Sequence, residues 1–136
     1  MAASAKRPEI ISIAQSLNHI PICDDYEKMI SGMMYNPTLP ILSEARHRCR
    51  GVATDYNQLD AKSIPYQDIV DRRMELLREV VGKVGEGTFI EPPFWPDYGC
   101  NVVFGKECFV NFKFVFPFDL PWSKHDARGD LGVIWY

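Results

Sequence analysis

The chain has 136 residues, 46% of them apolar and 24% charged, with a formal net charge of −3. That is the composition of one soluble globular domain with a single sizeable core. Acids and bases are interspersed, so no basic run offers a phosphate backbone a footprint, and no apolar stretch reaches the roughly 20 residues that span a bilayer; nucleic-acid and membrane partners are not expected.

Residues 1–22 read as an untargeted N-terminal extension. Lys6 and Arg7 are its only basic residues and Glu9 accompanies them, which a targeting sequence avoids. A first helix is expected from Asp24, with Asp24 and Glu27 spaced as a capping box and Tyr26, Met29, Ile30 and Met33 on one face. Gly32 and Asn36-Pro37 end it. A second helix begins near Pro40, where Leu42, Ala45, Cys49, Val52, Ala53 and Tyr56 form an apolar stripe opposite Glu44, Arg46, Arg48 and Arg50. A third follows Pro65, read as a first-turn proline. Its stripe is Tyr66, Val70, Met74, Leu77 and Val81, and Gly82 and Gly85 stop it.

Beyond Gly85 the rhythm changes. Val84 and Ile90 are six residues apart, as are Phe104, Val110 and Phe116, and a glycine follows both Val84 and Phe104. A six-residue period belongs to a hexapeptide β-helix, in which each side of a triangular coil sends one apolar residue inward and a glycine eases the corner. With a break between Ile90 and Phe104, the same spacing also fits a small antiparallel sheet. Residues 117–136 lose the rhythm. The four cysteines, Cys23, Cys49, Cys100 and Cys108, have no zinc-ligand spacing and read as reduced thiols in a cytoplasmic protein.

Three sets of words carry a family resemblance. Tyr26-Glu27-Lys28-Met29-Ile30-Ser31-Gly32-Met33-Met34-Tyr35-Asn36-Pro37 resembles the opening of the maltose acetyltransferase domain. Glu86-Gly87-Thr88-Phe89-Ile90-Glu91-Pro92-Pro93-Phe94 and Asp97-Tyr98-Gly99-Cys100-Asn101 are similar to the G-x-x-I-E-P-P-F and D-Y-G-x-N words of the maltose/galactoside O-acetyltransferase family. Gly105 to Phe112 is similar to its I-G-x-x-x-x-x-N-[FY] word. The resemblance implies an α+β fold, with a helical cap at 23–83 followed by the first coils of a left-handed parallel β-helix at 84–116 and an atypical tail at 117–136. It also implies acetyl transfer from acetyl-CoA, a co-substrate rather than a bound cofactor, to a sugar hydroxyl of the maltose, glucose or galactoside type. Intact members are homotrimers.

Such a transfer needs a general base, an oxyanion donor and an acceptor pocket. Asn111 matches the family asparagine beside the acetyl group; a corner asparagine satisfying backbone groups is its bland alternative. Asp97 and Tyr98 match acceptor-pocket positions, against a turn-former and a packed ring. Asp119 corresponds to an acceptor-binding carboxylate, although Pro117-Phe118-Asp119-Leu120 departs from the family word. The family's base is a histidine in a later coil, in a context that His19, His47 and His125 lack. No CoA-gripping residue is recognised and no metal is expected.

These features predict a C-terminally truncated and inactive family member, because a solenoid needs about three repeats before stacking offsets chain entropy. The alternative is a non-catalytic helical module that binds a full-length relative. The last coil would leave a strand edge open, and Leu131–Tyr136, folded back as a strand, would cover it.

Overall fold

Pro8 presets the backbone at the start of a short helix, α1 (Pro8–Ala14), which sequence reading had not placed. Seven residues cannot hold a helix alone, so α1 exists through packing. Ile10 and Ala14 are buried with Tyr26, Ile30, Leu42 and Cys100 in one apolar cluster. The segment before it is tied down by polar contacts. Ala3 N donates to Gly32 O (2.8 Å), Arg7 N to Ser31 Oγ (2.9 Å), and Lys6 Nζ reaches Asp24 and Glu27. This computed structural model describes residues 2–111 and the backbone of one short strand at 133–134.

Helix α2 (Asp24–Ile30) stands where expected, but its cap is Cys23. The Cys23 sulfur accepts from Tyr26 N at 3.4 Å, and Asp24 lies inside the first turn rather than capping it. Helix α3 (Pro40–Asn57) buries Leu42, Cys49, Ala53 and Tyr56, four of the six predicted stripe positions. Helix α4 (Tyr66–Val80) departs further. Pro65 is its N-cap residue with extended backbone, not its first helical residue. The buried face is Ile69, Leu76, Leu77 and Val80. Tyr66 is 77% exposed, and Val81 is already extended, so the helix ends before either glycine.

The six-residue rhythm appears as short strands: β1 (Lys83–Val84), β2 (Phe89–Ile90), β3 (Val103–Phe104) and β4 (Phe109–Val110). They pair parallel, β1 with β3 and β2 with β4, with Val84 opposite Phe104 and Ile90 opposite Val110. The flat antiparallel hairpin is thereby excluded for these strands. In each strand the second residue is the more buried, and Ile90 and Phe104 are almost fully so. Partners lie twenty residues apart rather than the eighteen of three six-residue sides, because the loop from Glu91 to Val102 is longer than a plain side. Gly85 answers for the corner. A Cβ there would lie 2.5 Å from Gly105 O and Lys106 N, while its own amide donates to Phe104 O at 3.0 Å.

A fifth strand, β5 (Val133–Ile134), runs antiparallel on the far edge of β3, giving the order β1-β3-β5. The tail expected to fold back does so at these two residues. Phe112, Phe114 and Phe116 lie outside the described residues. The main core joins α3, α4 and the coil through Cys49, Tyr56, Leu76, Leu77, Val80, Ile90, Phe94 and Phe104.

Because Ile10 is 2% exposed and sits within the second cluster, Ile10→Ala is expected to cost about 2–5 kcal/mol, read as a fall in the chemical-denaturation midpoint. A change below about 0.5 kcal/mol, the size of a surface substitution, would mean that α1 adds nothing to the fold.

Candidate acceptor loop and acetyl site

Glu91 to Val102 carries two of the predicted site residues, and helix α3 fixes its shape. Asn57 holds the loop at Phe94 with a reciprocal pair. Its Nδ2 donates to Phe94 O (2.9 Å), and Phe94 N donates to its Oδ1 (2.8 Å). About two helical turns back, the Cys49 thiol donates to Pro96 O at 3.4 Å. Arg50 Nη2 pairs with Asp97 Oδ1 at 2.9 Å. Arg46 Nη1 donates to the Tyr98 hydroxyl, and its guanidinium lies 5.3 Å from the Tyr98 ring centroid. Arg46 also donates to Pro37 O at 2.7 Å, so the chain before α3 is bound into the same knot. From the other side, the buried Tyr26 hydroxyl donates to Asn101 Oδ1 at 2.8 Å.

Gly99 makes this clamp possible. Its φ is +64°, and a Cβ would lie 2.1 Å from Val80 O and 2.9 Å from the Cys49 sulfur. Only glycine meets both demands.

Asp97 and Tyr98 are thus adjacent and partly exposed, each held by an arginine of α3. Burial pushes the Tyr98 phenol above its ordinary range, with Arg46 opposing the shift, so it is a neutral hydroxyl at physiological pH. Trp95, two residues before Asp97, is 61% exposed. Asn111 is exposed and follows Val110 directly. It stands one coil above Glu91, whose amide donates to Val110 O at 2.8 Å. Asp119 and His125 lie outside the described residues. His47 is exposed on α3, and His19, with φ 65°, sets its ring 3.4 Å from Arg78 O.

Sequence reading had assigned Arg46 and Arg50 to a solvated face. Their four-residue spacing was the available signal, since it puts both on one side of the helix. The carboxylate and the phenol that claim them are 47 and 52 residues away.

Three buried groups in and beneath the loop set an alkaline limit. Burial raises the Cys49 thiol to about 12, the Tyr56 phenol to about 12 and the Cys100 thiol to about 11. Each folded value lies above its unfolded one, so the stability it contributes is full below the unfolded pKa. That contribution is lost as pH rises through the interval up to the folded pKa. The denaturation midpoint is therefore expected to fall steadily from about pH 9 towards 12, and more gently in Cys49→Ala. An identical slope in the variant would remove Cys49 from this account.

Comparison with known proteins adds the family. Residues 28–85 match the maltose acetyltransferase hexapeptide capping motif. The chain is 37% identical over 100 residues to the Schizosaccharomyces pombe protein named putative acetyltransferase C18B11.09c, covering 71% of this chain and 48% of that protein. It is 27% identical to the sophorolipid acetyltransferase of Starmerella bombicola, over 79% of this chain and 43% of the relative. The galactoside O-acetyltransferase of Escherichia coli is 29% identical over 64% of this chain and 40% of its own. The chain thus spans about half the length of the curated relatives it matches. A solved galactoside acetyltransferase in complex with coenzyme A superposes with a TM-score of 0.56 at 26% identity, over 66% of this chain and 42% of that one. The capping motif, the relatives and the superposition thus agree: residues 28–85 carry the maltose acetyltransferase capping motif, and the chain is similar to acetyltransferases of the galactoside type.

Proposed function

We propose that the chain carries the acceptor side of a CoA-dependent sugar O-acetyltransferase whose cap leads into a left-handed β-helix. The observation that carries this reading is the clamped pair Asp97 and Tyr98, with the exposed Trp95, on the loop that α3 holds. In the reaction, the sugar hydroxyl attacks the thioester carbon of acetyl-CoA, an O–C bond forms, and the C–S bond breaks. The hydroxyl proton passes to a general base, and CoA leaves as the thiolate. Asp97 and Tyr98 orient the sugar. Asn111 donates its amide hydrogen to the oxyanion that develops on the acetyl carbonyl. Acetyl-CoA comes to the reading from the coenzyme A complex of the structural relative, and a galactoside-type acceptor from the E. coli relative. Three copies assembling about the β-helix complete the family arrangement.

The base is the part without a candidate among the described residues. His47 is solvated, and His19 is turned to the Arg78 carbonyl. The 136-residue chain is therefore proposed to bind acceptor without turning it over. A second reading, a non-catalytic module for a full-length relative, draws on Phe109, which is 67% exposed on β4 and stacks on Phe89 at 6.1 Å.

Titration with maltose, glucose or a galactoside is expected to shift the Tyr98 and Trp95 NMR signals, and Asp97→Asn to weaken binding by roughly 10-fold, the cost of one hydrogen bond to a charged group. Release of CoA thiol from acetyl-CoA and sugar is expected to stay at the blank. Turnover above the blank would overturn the inactivity; sugar-independent signals at Tyr98 would overturn the acceptor pocket. In a form that turns over, Asn111→Ala is expected to lower kcat about 10²–10³-fold, since it removes an oxyanion donor.

A further inference from the structure

Strand β3 is bounded on both sides by different kinds of partner. On one side β1 runs parallel, as stacked coils do. There Lys83 N donates to Val102 O at 3.3 Å, and Gly85 N donates to Phe104 O at 3.0 Å. Backbone groups of successive strand residues alternate between the two edges. With the carbonyls of Val102 and Phe104 turned to β1, Val103 turns its N–H and C=O to the opposite edge. Its register partner there is Ile134, in a strand that runs the other way.

An open edge of this kind is a template for strand addition by another chain. The coil next to it raises the hazard, because Phe109 is 67% exposed and stacked on Phe89 in a ladder whose ring planes are only 6° from parallel. A parallel strand on β3 would continue the coil. An antiparallel strand satisfies Val103 while offering no continuation in the coil's own sense.

The structure assigns β5 a role as an intramolecular edge guard. Val133–Ile134 occupies the outer edge of β3, and while it is there a strand from a second copy of this chain cannot pair with Val103. Displacing β5 opens that edge to self-association. The role is independent of the acetyl-transfer reading, because it depends only on backbone pairing.

The test is amide hydrogen exchange and light scattering on the full chain, in wild type and in Ile134→Pro, which removes the N–H facing Val103. In wild type, the Val103 amide is expected to exchange slowly and the protein to scatter as a single small species. In Ile134→Pro, Val103 is expected to exchange roughly tenfold or more faster, the loss of about one net hydrogen bond. Its scattering mass is expected to rise with concentration, while the Leu77 and Val80 amides of α4 keep their protection. A second variant ending at Leu131 is expected to behave the same way. Unprotected Val103 in wild type would overturn the assignment. So would unchanged Val103 exchange in both variants, or faster exchange with no rise in mass. If Ile134→Pro unfolds α4, the shortened chain decides by the same two readouts.

Discussion

The approach of the Gly99 backbone to the Val80 carbonyl is the contact on which the rest of the structure depends. It brings a loop from late in the chain into the space between α3 and the end of α4, and there is no room for a side chain. Once the loop is seated, the Gly82 amide donates to Gly99 O (3.1 Å) and Val102 O (3.0 Å). Those bonds take the place of a helical C-cap, so α4 stops at Val80 without a left-handed residue. The chain leaves the helix already aligned with β3, which lies twenty residues ahead. The helical part and the coil are therefore joined by an approach that neither could make alone.

That dependence explains which elements the sequence disclosed. The coil was legible because its rule is local and strict: one inward apolar residue per side, six apart, with glycine where the corners stack. Helix α3 was legible because only one stripe is apolar while arginines fill the other side. Helix α4 holds two overlapping stripes. Tyr66, Val70, Met74 and Val81 fit the period as well as Ile69, Leu76 and Val80, with Leu77 common to both. Packing against α3 and the coil chooses the second set, which buries Val80 beneath Gly99 and leaves Tyr66 in water. Helix α1 was illegible for a related reason. Its two buried residues are too few to announce a period and count only against α2, Leu42 of α3 and Cys100. The Cys23 cap escaped because sulfur is a weak acceptor and lies outside the usual set of capping residues.

The candidate site was half legible in the same sense. Asp97, Tyr98 and Asn111 stand in words that resemble a known family, and those words needed no folding to be read. Their holders did. Arg46 and Arg50 look like ordinary solvent-facing arginines until a loop from the far end of the domain delivers a phenol and a carboxylate to them. Arginine suits the task, since its planar fork can bind a hydroxyl, a carbonyl and a ring face at once, which an ammonium on a flexible stem does less well. Arg46 uses all three kinds of contact.

The clamp also says what kind of object the loop is. Its residues are divided between the two cores: Phe94 and Val102 pack with α3, α4 and the coil, while Cys100 packs with α1 and α2. The Tyr26–Asn101 hydrogen bond closes the seam between them in a place where an unpaired hydroxyl or amide would be costly. A loop threaded through both cores cannot move without disturbing each of them. Asp97 and Tyr98 are therefore positioned by the helices, and Asn111 by coil stacking at Val110 and Glu91. The approach of Gly99 to Val80 therefore sets where Asp97 and Tyr98 stand relative to the strands that carry Asn111.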